Sequence, residues 1–381
     1  MCLPLNLSAQ LYSKDAKLLT LSHSKRGYAL IHQKNRTYTF SYHSLKSIKN
    51  DPNLNAIRYF KQLQLNDNKT LTMRVMDQKK NLIEKELNFF MGTHDIQAKM
   101  VNDHFIFLTA RTSNDELKIA LIDQSHTLRF TQTVRDLSIK AIHNIFTHLD
   151  GSYSIALKVD NYKNRLTYFN RGTGESDIAI LKFSPLLHLT QTHFIGDSLS
   201  SHTIEVLKDK NENYFIFNQL QSNEIILYQH DFHKNESRKK IFSLKEKYPI
   251  LSISSKDFKT FFLGSDRSHW LTLNIINSQI ESFELAKIHG ATISSISKLP
   301  NNSILISGAY KSSGGQSNLF IHNYSPFQSY LWGKTYHSPF NDAAIKHSYN
   351  LKNIFLTALV HDKKKTENLA LFTLDFKGKP H

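Results

Sequence analysis

The stretch SYLWGKTYHSPFNDAAIKHSYNLKNIFLTAL, residues 329–359, decides the fold. It holds Trp332, one of only two tryptophans, then a polar turn, then two short apolar runs. Its last run, IFLTA at 354–358, has counterparts upstream: ILISGA at 304–309, TFFLGS at 260–265 and FIFLTA at 105–110. YFIF at 214–217 and YSIALKV at 153–159 stand between them. Each is short and rich in residues that fit a pleated, half-buried surface.

A second alternating run follows each of these: LKIALIDQ (117–124), DIAILKFS (177–184), NEIILYQHD (223–231), HWLTLNII (269–276), NLFIHNYS (318–325) and NLALFTLD (368–375). A further run comes next, LRFTQT at 128–133, LHLTQT at 187–192 and SYLWGKTY at 329–336, which makes Trp332 a strand residue. A polar turn then leads to a short run that opens the next unit: DIQAKM, LSIKAI, HTIEVL, ATISSI, DAAIKH. The period is four short strands in about 45–60 residues, near that of propeller blades. Period-2 alternation without a long helical pattern predicts an all-β chain. Radial repetition of four-stranded sheets is an architecture that closes such a chain.

The units resemble bacterial β-propeller repeats. In those repeats a W-x-K-T-[YF] strand is followed by an Asn-Asp turn and an apolar run ending in Thr-Gly or Ser-Gly. Trp332-Gly333-Lys334-Thr335-Tyr336, Asn341-Asp342 and Ser307-Gly308 carry the resemblance, which covers residues 95–381 and is close only in the last two units. Seven four-stranded antiparallel blades are expected in a single domain, at 13–93, 94–136, 137–198, 199–246, 247–290, 291–338 and 339–381. The N-terminal strand LNLSAQLY (5–12) is expected to complete the last blade and remove its free edge. Eight blades result if residues 10–94 hold two.

Composition narrows the role. The 48 Lys and Arg against 32 Asp and Glu give +16, a sign that suits polyanions and anionic surfaces. The basic runs Lys79-Lys80 and Arg238-Lys239-Lys240 fall between third and fourth strands. Lys163, Lys311 and Lys363-Lys364-Lys365 fall between second and third. Charge spread over both rims argues against one nucleic-acid groove. A single cysteine, Cys2, excludes a disulfide framework or a cysteine-rich zinc site. Its place directly after Met1 matches the lipid-modified Cys of a processed bacterial lipoprotein. A periplasmic or cell-surface location follows if it is one, and a cytoplasmic location if it is not. Lipid on Cys2 is the membrane link that the sequence suggests.

Candidate chemistry sits on the connections that lead into each first strand. These carry His94-Asp95, Arg135-Asp136, His202, His289 and His337, with Asp342 nearby. Imidazoles, carboxylates and guanidinium groups around a channel mouth suit a polar ligand. Asp209-x-Asn211-x-Asn213 spaces oxygens as calcium loops do but lacks the closing Glu, so a solvated turn is expected there and no metal. No P-loop, dinucleotide fingerprint, H-E-x-x-H or G-x-S-x-G motif is present, so no cofactor is implied. The expected function is a non-enzymatic scaffold presenting loops to a protein or glycan partner. The alternatives are a glycan-active hydrolase or lyase at the channel mouth and a polyanion binder.

Overall fold

The computed structural model describes residues 19–23, 28–33, 36–41, 43–47, 60–65, 71–76, 82–101, 104–135, 137–160, 176–196, 202–220, 223–247, 249–336, 343–349, 353–361 and 367–379. All regular structure in them is strand, apart from one 3-10 turn at Asn88–Phe90. The N-terminal strands are β1 (Leu19–His23), β2 (Tyr28–Gln33), β3 (Arg36–Ser41), β4 (His43–Ser47), β5 (Phe60–Leu65), β6 (Leu71–Met76) and β7 (Leu82–Leu87). Four consecutive strands then make each of five antiparallel sheets. The first holds β8 (Thr93–Val101), β9 (Phe105–Thr112), β10 (Leu117–Ile122) and β11 (Leu128–Val134). The second holds β12 (Ile139–Thr147), β13 (Tyr153–Asp160), β14 (Ser176–Phe183) and β15 (Leu189–Ile195). The third holds β16 (His202–Lys208), β17 (Asn213–Gln219), β18 (Glu224–Asp231) and β19 (Glu236–Ser243). The fourth holds β20 (Ile250–Ser255), β21 (Thr260–Ser265), β22 (His269–Asn274) and β23 (Gln279–Glu284). The fifth holds β24 (Ala291–Lys298), β25 (Ile304–Lys311), β26 (Ser317–Tyr324) and β27 (Tyr330–Tyr336). The chain closes on β28 (Ala343–Tyr349), β29 (Asn353–His361) and β30 (Glu367–Asp375).

The chain is an all-β propeller. The first strands β8, β12, β16, β20, β24 and β28 pack side by side in that order. The second and third strands are covered on both faces by neighbouring sheets. Hence β9 and β25 each hold a run of five consecutive buried residues, while the outer strand β11 buries only Val134 and β23 buries none of its residues. The cores lie between adjacent sheets: Phe215, Phe217, Phe261 and Leu263 share one, and Phe320, Trp270, Phe262 and Ile306 another. Burial of a side chain such as Phe217 contributes roughly 1.5–3 kcal/mol.

Three expectations change. First, the strand that completes the last sheet is β5, whose Phe60 and Lys61 pair with Leu369 and Asn368. Residues 5–12 lie outside the described residues. Second, β4 pairs with β5, so this hairpin leaves the N-terminal sheet, whose order is β1-β2-β3-β6-β7. Residues 19–87 therefore supply one five-stranded sheet and a hairpin, not two blades. Six sheets follow the expected unit, counting β5 as the fourth strand of β28–β30, and the N-terminal sheet does not match it. Third, Arg238-Lys239-Lys240 lies within the outer strand β19, not at a hairpin tip. Lys79, Lys80, Lys163 and Lys363 to Lys365 lie outside the described residues.

Two local devices position the functional surfaces. Each described first strand from β8 to β28 breaks register beside its second strand, for example between Ile142 and Asn144 and between Ala344 and Lys346. A bulge leaves backbone groups outside the ladder. Polar side chains of the preceding first strand satisfy some of them. Gln97 Nε2 donates to Ile142 O at 2.5 Å, Asn144 Nδ2 to Val206 O at 3.2 Å and Ser294 Oγ to Ala344 O at 2.6 Å. The second device is the hairpin loop. In a chain with 13 glycines, the left-handed corner of these loops is taken by Asp115, His126, Leu187, Asn302 and Gln328 as well as by Gly315 and Gly378.

The Ser-Gly at the end of the second strand has a steric cause. A Cβ on Gly308 would fall 1.9 Å from the Thr292 carbonyl oxygen of β24. Only glycine allows that approach.

Candidate functional site

The connections into the first strands share a face with the second-to-third turns, as shown by Leu244 N donating to Asn223 O and Asp266 N to Pro249 O. His94 and Asp95 open β8 on this face, and Asp95 takes φ +53°. Arg111, at the end of β9, gathers the cluster. Its Nη2 lies 2.8 Å from Asp95 Oδ2, and its Nη1 lies 3.3 Å from Asp115 Oδ1 and donates to Ile139 O of the next sheet at 2.8 Å. Burial first, then the Arg111 charge, lowers the His94 pKa against the opposing pull of Asp95 and Asp115. His94 therefore favours the neutral form near pH 7.

The other described candidates make no ion pair with Arg111. Arg135 is largely exposed and reaches Glu116 at 3.4 Å. His289 is exposed, with Nδ1 3.5 Å from Glu284 Oε1. His202 is an exposed first residue of β16. Asp136, His337, Asp342 and Cys2 lie outside the described residues. Among the described residues no three His, Cys, Asp or Glu side chains are grouped to hold a metal. Asp209 forms a turn in which Oδ1 accepts from the Asn211 and Asn213 backbone N–H groups.

Charge also lines the inner strands. Lys99 of β8 donates to Ile145 O of β12 at 2.7 Å, and its pKa is pulled down to about 8 by burial and then by Lys346 and Lys208. Glu205 of β16 is pushed up by burial, against the nearby Lys346 of β28. His143 is lowered to about 4, mainly by burial. Lys99, Glu205 and Lys346 sit inside the short runs IQAKM, TIEVL and AAIKH, which read along the sequence as apolar openings of each unit.

A second polar chain joins two sheets on the opposite face. His148 Nδ1 lies 2.5 Å from Glu212 Oε1, and His148 Nε2 lies 2.8 Å from Ser154 Oγ. Ser154 Oγ in turn lies 2.6 Å from the Tyr214 hydroxyl, and Lys182 donates to Glu212 Oε2 at 2.8 Å. Serine, imidazole and carboxylate in this order are the groups of a hydrolytic triad. Ser154 is fully buried and shares its oxygen with Tyr214, so its hydroxyl is closed to substrate. The chain acts as a latch between β12–β13 and β16–β17. His347 forms a comparable latch, with Nε2 2.7 Å from Ser297 Oγ and Nδ1 2.7 Å from Ser307 Oγ.

No protein-family model and no curated protein matches the sequence. Among solved structures, the WD40 β-propeller domain of Doa1 is similar with a TM-score of 0.53 and 11% identity, covering 98% of each chain. A protein of unknown function from Bacteroides caccae matches at TM-score 0.43 and 10% identity, over 70% of this chain and 90% of that one. BBS1N, in complex with ARL6DN, matches at 0.45 and 10%, over 82% and 90%. The Doa1 likeness supports the propeller fold.

Proposed function

We propose that the chain is a binding scaffold that holds the loops of the His94–Arg111 face toward a protein partner. The observation that carries this reading is the separation of the charged groups on that face. Asp95 with Arg111 and Arg135 with Glu116 form two distinct pairs on the β8–β11 sheet, and His289 with Glu284 forms a third beside the β20–β23 sheet. Such an arrangement offers separate charged contacts on a rigid frame rather than one converging site. The propeller fold shared with a WD40 domain supports it by analogy of fold alone.

Three finer points belong to the same proposal. The ring has seven sheets, with the N-terminal five-stranded sheet as the seventh blade. The adjacency of β1 to both β8 and β28 supports that count. The domain is single, and its repeats derive from the W-x-K-T-[YF] type. The chain is anchored at a bacterial envelope through Cys2.

The test is quantitative retention of proteins from source-cell extract on the immobilised chain. Retention is expected to saturate for one partner and to fall when Arg135 and His289 are both changed to Glu. Saturable retention that survives this change, or a lack of saturable retention, refutes the reading. Intact-mass analysis of the chain from its own cells tests the lipid on Cys2, and an unmodified Cys2 removes that point.

A further inference from the structure

The four most exposed large apolar side chains among the described residues are Leu149, Phe327, Ile276 and Leu186, at 102, 86, 67 and 54%. All four sit at hairpin tips of one face, the face of the first-to-second and third-to-fourth turns. Those turns touch one another: Phe232 N donates to Glu212 O, Ile275 N donates to Lys259 O, and a Cβ on Gly151 would lie 3.6 Å from Pro185 Cγ. Leu189 and Leu331, both exposed, open their outer strands at the same rim.

Two of the tips are built alike. Ser184-Pro185-Leu186 and Ser325-Pro326-Phe327 occupy the same turn in two sheets. Ser184 N donates to His188 O at 2.8 Å and Ser325 N to Ser329 O at 2.7 Å. Proline at the first corner fixes φ, so the following side chain is held outward by a stiff loop.

The charges of this face are arranged unequally. The carboxylates of Asp209, Asp257 and Asp375 fold back onto backbone N–H groups of their own turns. The ammonium groups of Lys210, Lys256, Lys259, Lys377 and Lys379 are exposed and have no polar partner among the described residues. The whole chain carries +16.

We propose that this hairpin face docks on an anionic lipid bilayer. Leu149, Leu186, Ile276 and Phe327 enter the boundary between headgroups and acyl chains, and the lysines between them meet the headgroups. A protein partner buries one contiguous apolar centre. Here the apolar tips are spread over three sheets, Leu149 and Leu186 on the β12–β15 sheet, Ile276 on the β20–β23 sheet and Phe327 on the β24–β27 sheet, with Lys210 on the sheet between the first two and Lys256 and Lys259 beside Ile276. A fluid interface accepts side chains in that pattern, with lysine stems lying along the apolar boundary. The opposite face, which carries His94 and Arg111, is left facing away from the lipid. The inference goes beyond the scaffold reading and stands or falls separately from it.

The experiment is co-sedimentation of the full chain with vesicles of phosphatidylcholine containing about one-third phosphatidylglycerol, against phosphatidylcholine alone. The wild type is expected to partition onto the anionic vesicles, and L149S/L186S/F327S to partition at least about tenfold less. Equal partitioning of the triple variant would mean that bulk charge alone attracts the chain, and would overturn the proposal, as would no binding by the wild type. F327W adds a reading that does not depend on the triple variant folding. Its emission should shift to the blue on anionic vesicles, and an unshifted spectrum overturns the insertion. A wild-type dimer that the triple variant abolishes, with no vesicle binding, would assign the face to a second copy and overturn it as well.

Discussion

Changing Gly378 to Ala separates two costs that the structure predicts at one position. Gly378 has φ +76° in the turn after β30, and a Cβ built there lies 2.8 Å from both Cε3 and Cζ3 of Trp332. The left-handed corner alone costs an alanine about 1–2 kcal/mol. The overlap adds about 1–3 kcal/mol, because carbon atoms need about 3.5–4 Å. The indole is held in place, since its Nε1–H donates to Phe376 O at 2.9 Å. Gly315 is the control. It has φ +77° with nothing within 4 Å of an added Cβ, so Gly315→Ala meets only the backbone cost. For a chain of this size, 1 kcal/mol shifts Tm by roughly 1 °C if it unfolds as one unit. Scanning calorimetry should give a drop of about 1–2 °C for Gly315→Ala and about 2–5 °C for Gly378→Ala. In a Trp332→Ala background, Gly378→Ala should fall to the Gly315 value. Equal drops in the wild type, or an excess that survives without the indole, would refute the reasoning.

Three further predictions rest on buried polar groups. Lys99→Met should stabilise the fold at pH 7 by about 1–2 kcal/mol, because the lysine is buried and its pKa is pulled from 10.5 to about 8. The folded value lies below the unfolded one, so the wild type gains stability as pH rises through this window. The variant's advantage in urea unfolding should therefore shrink toward pH 10, and a constant advantage argues against the assignment. His143 and His322, lowered to about 4, and His347, lowered to about 3, stay neutral in the fold while the unfolded chain protonates near 6.5. Stability is thus intact above pH 6.5 and is lost below it, by about 2 kcal/mol per imidazole at pH 5, and an unchanged urea midpoint between pH 7.5 and 5 contradicts this. Ser154→Ala should cost about 1–3 kcal/mol by stranding the Tyr214 hydroxyl, measured against the smaller cost expected of Ser154→Thr.

Trp332 was legible as a strand residue because the strands around it repeat with apolar spacing that survives in the core. The completing strand of the last sheet was not legible. Among the described residues strand β5 joins β30 through two paired positions, and such long-range pairing leaves no local mark. The expected strand, residues 5–12, has the same alternation, so alternation cannot choose between them. His94 and Asp95 were found because they stand in a turn at a predictable place. Arg111 was not, because it reaches that turn from the far end of the second strand. Glu212 lies beside Asp209 in a loop that reads as a solvated turn. Only folding places it against His148, which is 64 positions away.

The same physics explains why chemical groups and chemical sites differ here. A first strand with a bulge exposes backbone polar groups between sheets, and leaving them unpaired inside the ring costs about 1–3 kcal/mol each. Side chains able to satisfy them, Gln97, Asn144, Lys99 and Ser294, therefore recur on the preceding first strand. The buried imidazoles follow a related rule. His347 and His148 each bridge hydroxyls or a carboxylate across two sheets, and a neutral ring can donate from one nitrogen while accepting at the other. Gln97, Asn144, Lys99, Ser294, His148 and His347 in the wall of this ring are thus accounted for by the joints between sheets. Function has to be sought where such accounting fails. On the hairpin face it fails at Leu149, Leu186, Ile276 and Phe327, which stand exposed at the tips of their turns. Neither strand pairing nor inter-sheet packing requires an apolar side chain at those tips, so an external surface is what they are placed to meet.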